Sequence, residues 1–341
     1  MESIAANIQN NFSNSLALSS LLRIFLSVYI HYVHKQRRRI TDDYLEKVPY
    51  PTTLDEAHEI YTNFAFRDYP FLCTMALEFG LFKTYGIPSI AVILSKTGEL
   101  KDRVAKRYDD TDLLLREFIE HNPKTSRDSE AIKQMNFIHS HYKISNRYYL
   151  YVLSIFIVEP IVWAERFGYR CPHEKEKAAA YLSWKYIARE MGIKDVFQNY
   201  EEAHVYMKDY EKKYMKPSEY SPPIVEALMN LMFDKLPFKF THKLLLHPFV
   251  HALCPSILRS SMGFPDVLRT FIRIVESLLY IHSFIVRHLV LPNEYLETRT
   301  GLDHDDNKRV LFPKYHPYES IYKDGYRINE LGPTSLVCPM K

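Results

Sequence analysis

Segments with apolar residues three and four positions apart occupy most of this chain, and they constrain its fold more than any other feature. Such a segment puts its apolar side chains on one face of an α-helix. Helices are predicted from residue 54 onward and at residues 71–83, 89–97, 110–120, 127–144, 148–161, 174–191, 224–236 and 264–291. The chain shows no convincing run of alternating apolar and polar residues, and only 9 of its 341 residues are glycine, which disfavours a turn-dense β-sandwich. We therefore predict an all-α fold, built as a single large helical domain.

The most apolar internal segment covers residues 148–161. Because it is too short to cross a bilayer, we expect it to form a buried helix near the centre of the domain. Glu159 and Pro160 stand near its end. Glu159 is either a buried carboxylate paired with an arginine or part of a helix end set by the proline that follows it.

A second apolar segment, residues 16–33, lies near the N-terminus and contains Arg23 and His31. Its length is near the lower limit for a membrane span, and a central arginine costs about 2.5–3.5 kcal/mol on insertion scales. Residues 35–39 follow with four basic side chains, which by the positive-inside rule would place the rest of the chain in the cytosol. We predict a single-pass anchor helix here. The alternatives are an amphipathic helix lying on the membrane surface and a helix packed on the domain.

These segments predict four parts of the chain. Residues 1–34 form the anchor segment, residues 35–53 a basic and polar connector, residues 54–297 the helical domain, and residues 298–341 a polar C-terminal tail. The formal net charge of +3 is too small to indicate nucleic-acid binding. Glycine-rich nucleotide motifs are absent, the four cysteines form no CxxC motif, and nothing indicates a particular oligomeric state.

Two polar residues near position 110 can face one side of a helix. Arg107 and Thr111 are four positions apart, a spacing that puts both side chains on the same helix face. A guanidinium and a hydroxyl placed in this way can stabilise negative charge that develops on a bound ligand. Equally, Lys106 and Arg107 with Asp109 and Asp110 fit the solvated first turn of a helix.

His139 and His141 lie in the helix predicted at residues 127–144. Two positions correspond to about 200° around a helix, so the two rings cannot both reach one metal ion from an unbroken helix. His139 lies next to an apolar stripe that includes Met135 and Ile138, and we predict that its ring faces inward. Neutral imidazole is a common metal ligand, but a hydrogen-bonded core histidine fits the same pattern.

A second histidine pair, His247 and His251, has the spacing of four residues that can chelate zinc. It lacks the glutamate of the HExxH motif, and no carboxylate follows at the spacing of that enzyme class. We therefore predict no zinc site there. The GxSxG motif of a serine nucleophile does not occur.

Six segments carry a resemblance by their order and spacing. They are residues 79–88 (FGLFKTYGIP), 106–111 (KRYDDT), 136–142 (NFIHSHY), 156–163, 184–193 and 259–264. Together they resemble the fungal ER-bound oxygenases typified by mpaB, which are related more distantly to bacterial rubber oxygenase (latex-clearing protein). The resemblance implies an all-helical, distantly globin-like domain that holds haem b and uses O2.

The resemblance also implies roles for individual residues. His139 would be the axial ligand of the haem iron, with His141 as the neighbouring candidate for the cofactor site, and Arg107 and Thr111 would lie on the distal side. In rubber oxygenases a lysine lies between the counterparts of Arg107 and Thr111 and can occupy the distal iron site. This chain has Asp110 at that position, and Asp110 can instead relay protons.

From this resemblance we expect a membrane-tethered, haem-dependent oxygenase in the ER membrane, with its catalytic domain facing the cytosol. Its substrate would be a small hydrophobic molecule, an isoprenoid or polyketide intermediate of secondary metabolism. Similar enzymes cleave a carbon–carbon double bond with O2 to give carbonyl products. Two alternatives remain open: a non-haem or cofactor-independent biosynthetic enzyme, such as a hydroxylase or cyclase, and a non-catalytic helical protein that binds lipid.

Overall fold

Helices form most of the chain in the structure, a computed structural model that describes residues 2–233, 246–302, 309–311, 321–334 and 336. The α-helices are α1 Glu2–Arg37, α2 Asp43–Lys47, α3 Leu54–Thr62, α4 Pro70–Thr84, α5 Pro88–Lys96, α6 Glu99–Asp102, α7 Val104–Ile119, α8 Ser126–Ser140, α9 Asn146–Phe167, α10 Glu174–Glu190, α11 Tyr200–Tyr214, α12 Ser221–Met232, α13 His247–Leu253, α14 Ser256–Ser261 and α15 Arg269–Leu289. Two π-helical turns, Arg38–Asp42 and Asn63–Asp68, and a 3-10 turn, Ile328–Glu330, complete the helical elements. Two short strands, β1 Thr300–Leu302 and β2 Arg309–Leu311, pair antiparallel. The mostly helical prediction is confirmed, with this strand pair as an addition.

Capping residues and prolines set several helix ends. Thr53 caps α3, since its hydroxyl accepts from the backbone N–H of Glu56 while the Glu56 carboxylate accepts from the backbone N–H of Thr53, a reciprocal arrangement that satisfies two free donors. Pro70 and Pro88 open α4 and α5, where a missing N–H costs no hydrogen bond. Gly98, at a φ of 71°, follows α5 in the left-handed conformation that commonly ends helices.

α9 is the central helix of the domain. It packs against α4, α10 and α11, and most of its residues are buried. α4 approaches it closely at Gly80, where the Cβ of any other residue would collide with the side chain of Ile155. The prediction of a buried central helix at residues 148–161 is confirmed, although α9 extends further in both directions.

Glu159 and Pro160 lie inside α9, so the helix does not end at this proline. Glu159 is a buried carboxylate, but the expected arginine partner is wrong. Lys83 Nζ of α4 donates to Glu159 Oε1 at 2.6 Å and to Glu211 Oε1 at 3.0 Å, and all three side chains are buried. Glu211 belongs to α11, a helix that the sequence analysis does not identify because charged residues dominate its pattern (YEEAHVYMKDYEKKY).

α7 begins six residues before the predicted start at residue 110. Arg107 and Thr111 therefore lie within one continuous helix. The ion pair between Lys106 Nζ and Asp110 Oδ2, at 2.9 Å, joins successive turns at this end of the helix and supports the earlier start.

α1 contains the predicted anchor, residues 16–33, and its side chains are described from residue 18 onward. Within the described residues, no single helix has both the length and the hydropathy of a membrane span. One bent pair, α4 with α5 at an angle of 93°, has this length and hydropathy only when the two helices are taken together. The predicted single-pass span is thus not supported. Nearly all of residues 18–28 are exposed, and α1 packs against α15.

The described residues beyond position 297 pack on the helical domain. The backbone N–H groups of Arg299 and Thr300 donate to the Glu120 carboxylate at 3.0 and 2.9 Å. Tyr326 is fully buried, and its hydroxyl donates to Glu117 Oε1 at 2.6 Å. This part of the predicted polar tail contributes to the core, because Tyr326, Ile328 and Leu331 are buried against the helices.

Candidate functional site

A cavity of about 340 Å³ lies inside the helical domain, with walls formed by α4, α5, α7, α8, α9, α10 and α12. Its lining is mainly aliphatic and aromatic, and Trp184 is one of its wall residues. The volume falls in the range of cofactor and small-molecule sites. Four of the five predicted site residues line it: Arg107, Asp110, Thr111 and His139.

His139 lies in the last turn of α8, with its ring in the cavity wall. Its Nδ1 is buried and has no hydrogen-bond partner among the described residues. Burial, together with the positive charge of Arg107, lowers the pKa of His139 to about 4, so the imidazole is neutral at pH 7. Folded proteins pair nearly all buried polar atoms. An unpaired nitrogen on a neutral ring beside a cavity therefore points to a ligand that completes it.

His141 is not brought into the cavity. α8 ends at Ser140, four residues before the predicted end, and His141 is exposed just beyond it. Its Nδ1 lies 2.8 Å from the carbonyl oxygen of Phe137. The structure thus agrees with the inward orientation predicted for His139 and places the candidate His141 outside the site.

Arg107 and Thr111 lie one turn apart on α7 and face the cavity together. Arg107 Nη1 donates to Thr111 Oγ1, and Thr111 Oγ1 donates to the carbonyl oxygen of Arg107 at 2.8 Å. Arg107 forms no ion pair with any residue in the described part of the chain. No carboxylate that the structure describes neutralises its charge, which is therefore available to a bound molecule. This differs from the alternative considered above, a solvated first turn of a helix.

The Asp110 carboxylate is held by two neighbours. Lys106 Nζ donates to its two oxygens at 3.0 and 2.9 Å, and Tyr322 OH donates to Oδ1 at 2.5 Å. Lys106 also donates to the carbonyl oxygen of Gly332 at 2.7 Å, and Gly332 and Pro333 line the cavity. Asp110 thus fastens residues 321–334 over the edge of the cavity, while its role in relaying protons stays a prediction.

Glu78 of α4 is a cavity residue that the sequence analysis does not identify. Tyr108, next to Arg107 on α7, donates its hydroxyl to Glu78 Oε1, and both side chains line the cavity. Burial raises the pKa of Glu78 to about 7, so the carboxyl can take up or release a proton near neutral pH. The available signal is a single glutamate in an otherwise apolar helix (PFLCTMALEFGLFKT).

We expect the substitution Glu78→Gln to remove a contribution that lowers the stability of the apoprotein as the pH rises from 5 to 8. The carboxyl titrates at 4.5 when unperturbed and at about 7 in the folded protein. Between these values the folded state keeps a proton that the unfolded state has released, so the contribution of this carboxyl to the free energy of unfolding falls as pH rises. Urea unfolding measures how much the free energy of unfolding changes between pH 5 and pH 8, and this change should differ by about 1–3 kcal/mol between wild type and variant. Identical pH dependence of the two proteins would contradict the assignment.

His247 and His251 share α13, with ring centroids 6.3 Å apart. The His251 ring packs on Phe264 at a centroid distance of 4.0 Å. Among the described residues, no cluster of three or more histidine, cysteine, aspartate or glutamate side chains could hold a metal ion by itself.

Residues 121–278 match the family described as ER-bound oxygenase mpaB/B'/Rubber oxygenase, catalytic domain. The chain is 31% identical over 258 residues to the ER-bound oxygenase mpaB' of Penicillium brevicompactum, covering 70% of this chain and 60% of that protein. It is 34% identical over 183 residues to mpaB of the same species, covering 48% of this chain and 47% of that protein. It is 30% identical over 206 residues to mpaB of Penicillium roqueforti (strain FM164), covering 55% of this chain and 69% of that protein.

These matches bear differently on the candidate residues. The matched family segment includes His139 but begins after Arg107 and Thr111. The chain spans less than two thirds of the length of the first two relatives. It covers more than two thirds of the Penicillium roqueforti protein at 30% identity. This protein therefore belongs to the family of the ER-bound oxygenases mpaB and mpaB' and the catalytic domain of rubber oxygenase.

Proposed function

We propose that this protein is a haem-dependent oxygenase that works at the ER membrane and cleaves a carbon–carbon double bond of a hydrophobic isoprenoid or polyketide with O2. The observation that carries the proposal is the placement of His139, neutral and with a buried Nδ1, and of Arg107 on the wall of one mainly apolar cavity. The relatives are named ER-bound oxygenases, which supports the oxygenase class and the ER location. Such a cleavage puts one oxygen atom of O2 on each carbon and gives two carbonyl groups, so it needs no external reductant.

The residues present fit haem b. His139 would hold the iron, because its imidazole is neutral and half-buried in the cavity wall, its buried Nδ1 has no hydrogen-bond partner among the described residues, and histidine is the usual axial ligand of haem. Aromatic and aliphatic side chains such as Phe156 and Leu114 line the same cavity and suit an apolar macrocycle. When bound, haem would supply the iron centre that activates O2.

The polar residues of the cavity have separable tasks. Arg107, oriented by its hydrogen bond to Thr111, would stabilise negative charge that develops on oxygen in a site where water does not screen it. Glu78 would hold a proton at its carboxyl, and Tyr108 fixes the orientation of that carboxyl. The apolar wall would bind a hydrocarbon substrate and exclude water.

We expect Arg107→Leu to reduce turnover by about 10²–10³-fold while leaving cofactor binding intact, since one preorganised charge at a reacting oxygen contributes this much in other enzymes. The experiment measures O2 uptake and carbonyl products with prenylated aromatic substrates, alongside the absorption spectrum of the purified protein. Arg189→Leu is the matched control, because Arg189 is exposed on α10 away from the cavity lining.

Unchanged turnover in Arg107→Leu would contradict the proposed role of this residue. Full activity in wild-type protein that contains neither iron nor porphyrin would contradict the proposed function as a whole and favour the cofactor-independent alternative. Bound lipid without O2 uptake would favour the non-catalytic alternative.

A further inference from the structure

α15 carries an aliphatic stripe that the helical domain does not cover. Two of the 21 residues of this helix, Val275 and Leu279, are buried. A row of larger aliphatic residues follows the spacing of three and four that aligns side chains along a helix. These residues, the α15 stripe, are Ile274, Leu278, Ile281, Ile285 and Leu289, with exposed fractions between 36% and 54%. A continuous exposed apolar row of this kind marks an interaction surface.

The α15 stripe adjoins the exposed part of α1. Tyr29 OH donates to the carbonyl oxygen of Leu289 at 3.0 Å. Arg37 Nη2 donates to the carbonyl oxygens of Val286 and Val290 at 2.6 and 2.8 Å, so α1 is fastened to the C-terminal end of α15. Before this junction, α1 exposes Leu18, Leu21, Leu22, Ile24, Phe25, Leu26 and Val28. The two helices thus present exposed apolar residues next to each other.

Uncompensated cations accompany this apolar surface. The exposed ones are Arg23 and Lys35 of α1 and Arg269, Arg273 and Arg287 of α15. None of them forms an ion pair with another residue that the structure describes, whereas Glu276, the one acidic residue of α15, is paired with Arg166. Long basic side chains beside exposed aliphatic residues match the anionic headgroups and acyl boundary of a membrane.

The chemistry of the surface favours a bilayer over a second copy of the chain. Tyr32 and Tyr280 are half exposed beside the aliphatic residues, and tyrosine is enriched where headgroups meet acyl chains. A symmetric contact between two copies would bring two surfaces of the same positive sign together, and like charges across an interface are unfavourable.

We propose that the exposed part of α1 and the α15 stripe form one membrane-docking surface that lies on an anionic bilayer. The inference rests on the proposed function in that it assumes work at a membrane, and it adds the surface that makes the contact. Two helices joined at Tyr29 and Arg37 would hold the domain in one orientation on the membrane, which a single flexible tether would not do.

The test uses the purified full chain in flotation assays with vesicles of phosphatidylcholine alone or with 30% phosphatidylserine. We expect Ile281→Asn/Ile285→Asn to weaken binding to the anionic vesicles about tenfold, since two aliphatic side chains no longer leave water. Val205→Asn is the matched control, because Val205 is equally exposed on α11. Arg273→Gln should lower the preference for anionic over neutral vesicles, and Lys212→Gln on α11 should not.

Further arms separate the competing explanations. Leu22→Asn/Phe25→Asn should also weaken binding. If this variant loses binding while the α15 variant binds like wild type, α1 alone contacts the membrane, which overturns the inference and leaves the proposed location intact. If neither the wild type nor any variant binds vesicles, both the docking surface and the proposed location at a membrane are contradicted. If the α15 variant changes self-association in sedimentation velocity but not vesicle binding, a second copy covers the stripe and the inference is overturned.

Discussion

Replacing His139 with leucine is expected to abolish haem binding while leaving the apoprotein at least as stable as the wild type. The ring is half-buried, and its buried Nδ1 has no hydrogen-bond partner in the described part of the chain, so the substitution breaks no such bond at that atom. An apolar side chain of similar size removes an unsatisfied buried group, which is neutral or favourable for folding. Loss of the axial ligand should reduce turnover by about a hundredfold or more, since even outer-shell changes at metal sites reach that size.

The two readouts separate a ligand from a structural histidine. Haem titration followed in the Soret region should show no saturable binding in His139→Leu, and urea unfolding of the apoprotein should show an equal or higher midpoint. His141→Leu is the control, because His141 is exposed beyond the end of α8, and it should bind haem like wild type. A loss of stability in His139→Leu together with unchanged haem binding would identify a core histidine instead.

The substitution Lys83→Met is expected to lower the free energy of unfolding by about 3–5 kcal/mol. Lys83 Nζ lies 2.6 Å from Glu159 Oε1 and 3.0 Å from Glu211 Oε1, and the two carboxylates come from helices packed on each other at the centre of the domain. Without the ammonium, two buried negative charges face each other. The cost is that of uncompensated charges, which exceeds the net contribution of the intact pair.

The destabilisation caused by Lys83→Met should depend on pH in a defined direction. Without the cation, the two carboxylates repel each other, and a proton on either of them relieves the repulsion; protons are more available at low pH. The deficit should therefore be smaller at pH 5 than at pH 8. Urea unfolding at both values measures it, with Lys208→Met on the exposed side of α11 as the control. Adding Glu159→Gln should restore part of the lost stability, and a double variant no more stable than Lys83→Met would contradict this explanation.

Local patterns in the sequence predict much of the helical framework. The buried run at residues 148–161 identifies α9, and the predicted helices at residues 71–83 and 89–97 match α4 and α5 to within one residue at each end. The spacing of Arg107 and Thr111 correctly predicts a shared helix face. The apolar stripe beside His139 correctly predicts which of the two histidines faces inward. These features depend on periods of a few residues, which the sequence displays directly.

Contacts between residues that are distant in the sequence cannot be predicted from local patterns. Lys83 meets partners 76 and 128 positions away, and no local period indicates which charged residues pair in the interior. α11 is not predicted, because its many charged residues hide the apolar period of its buried face in the sequence. Glu78 acquires its raised pKa from burial beside Tyr108, which depends on how α4 and α7 pack. The burial of Tyr326 follows in the same way from a partner, Glu117, that is 209 positions away.

The haem and iron content of the active wild-type chain tests most directly whether the protein is a haem-dependent oxygenase. The full chain is purified after expression with haem precursors, its haem is quantified by the pyridine haemochromogen assay, and its iron is measured by mass spectrometry. We expect each chain to bind one haem at saturation, the Soret band to be absent in His139→Leu, and O2 uptake to be proportional to haem content. Undiminished O2-dependent activity in preparations that contain neither iron nor porphyrin would contradict the proposed haem-dependent function.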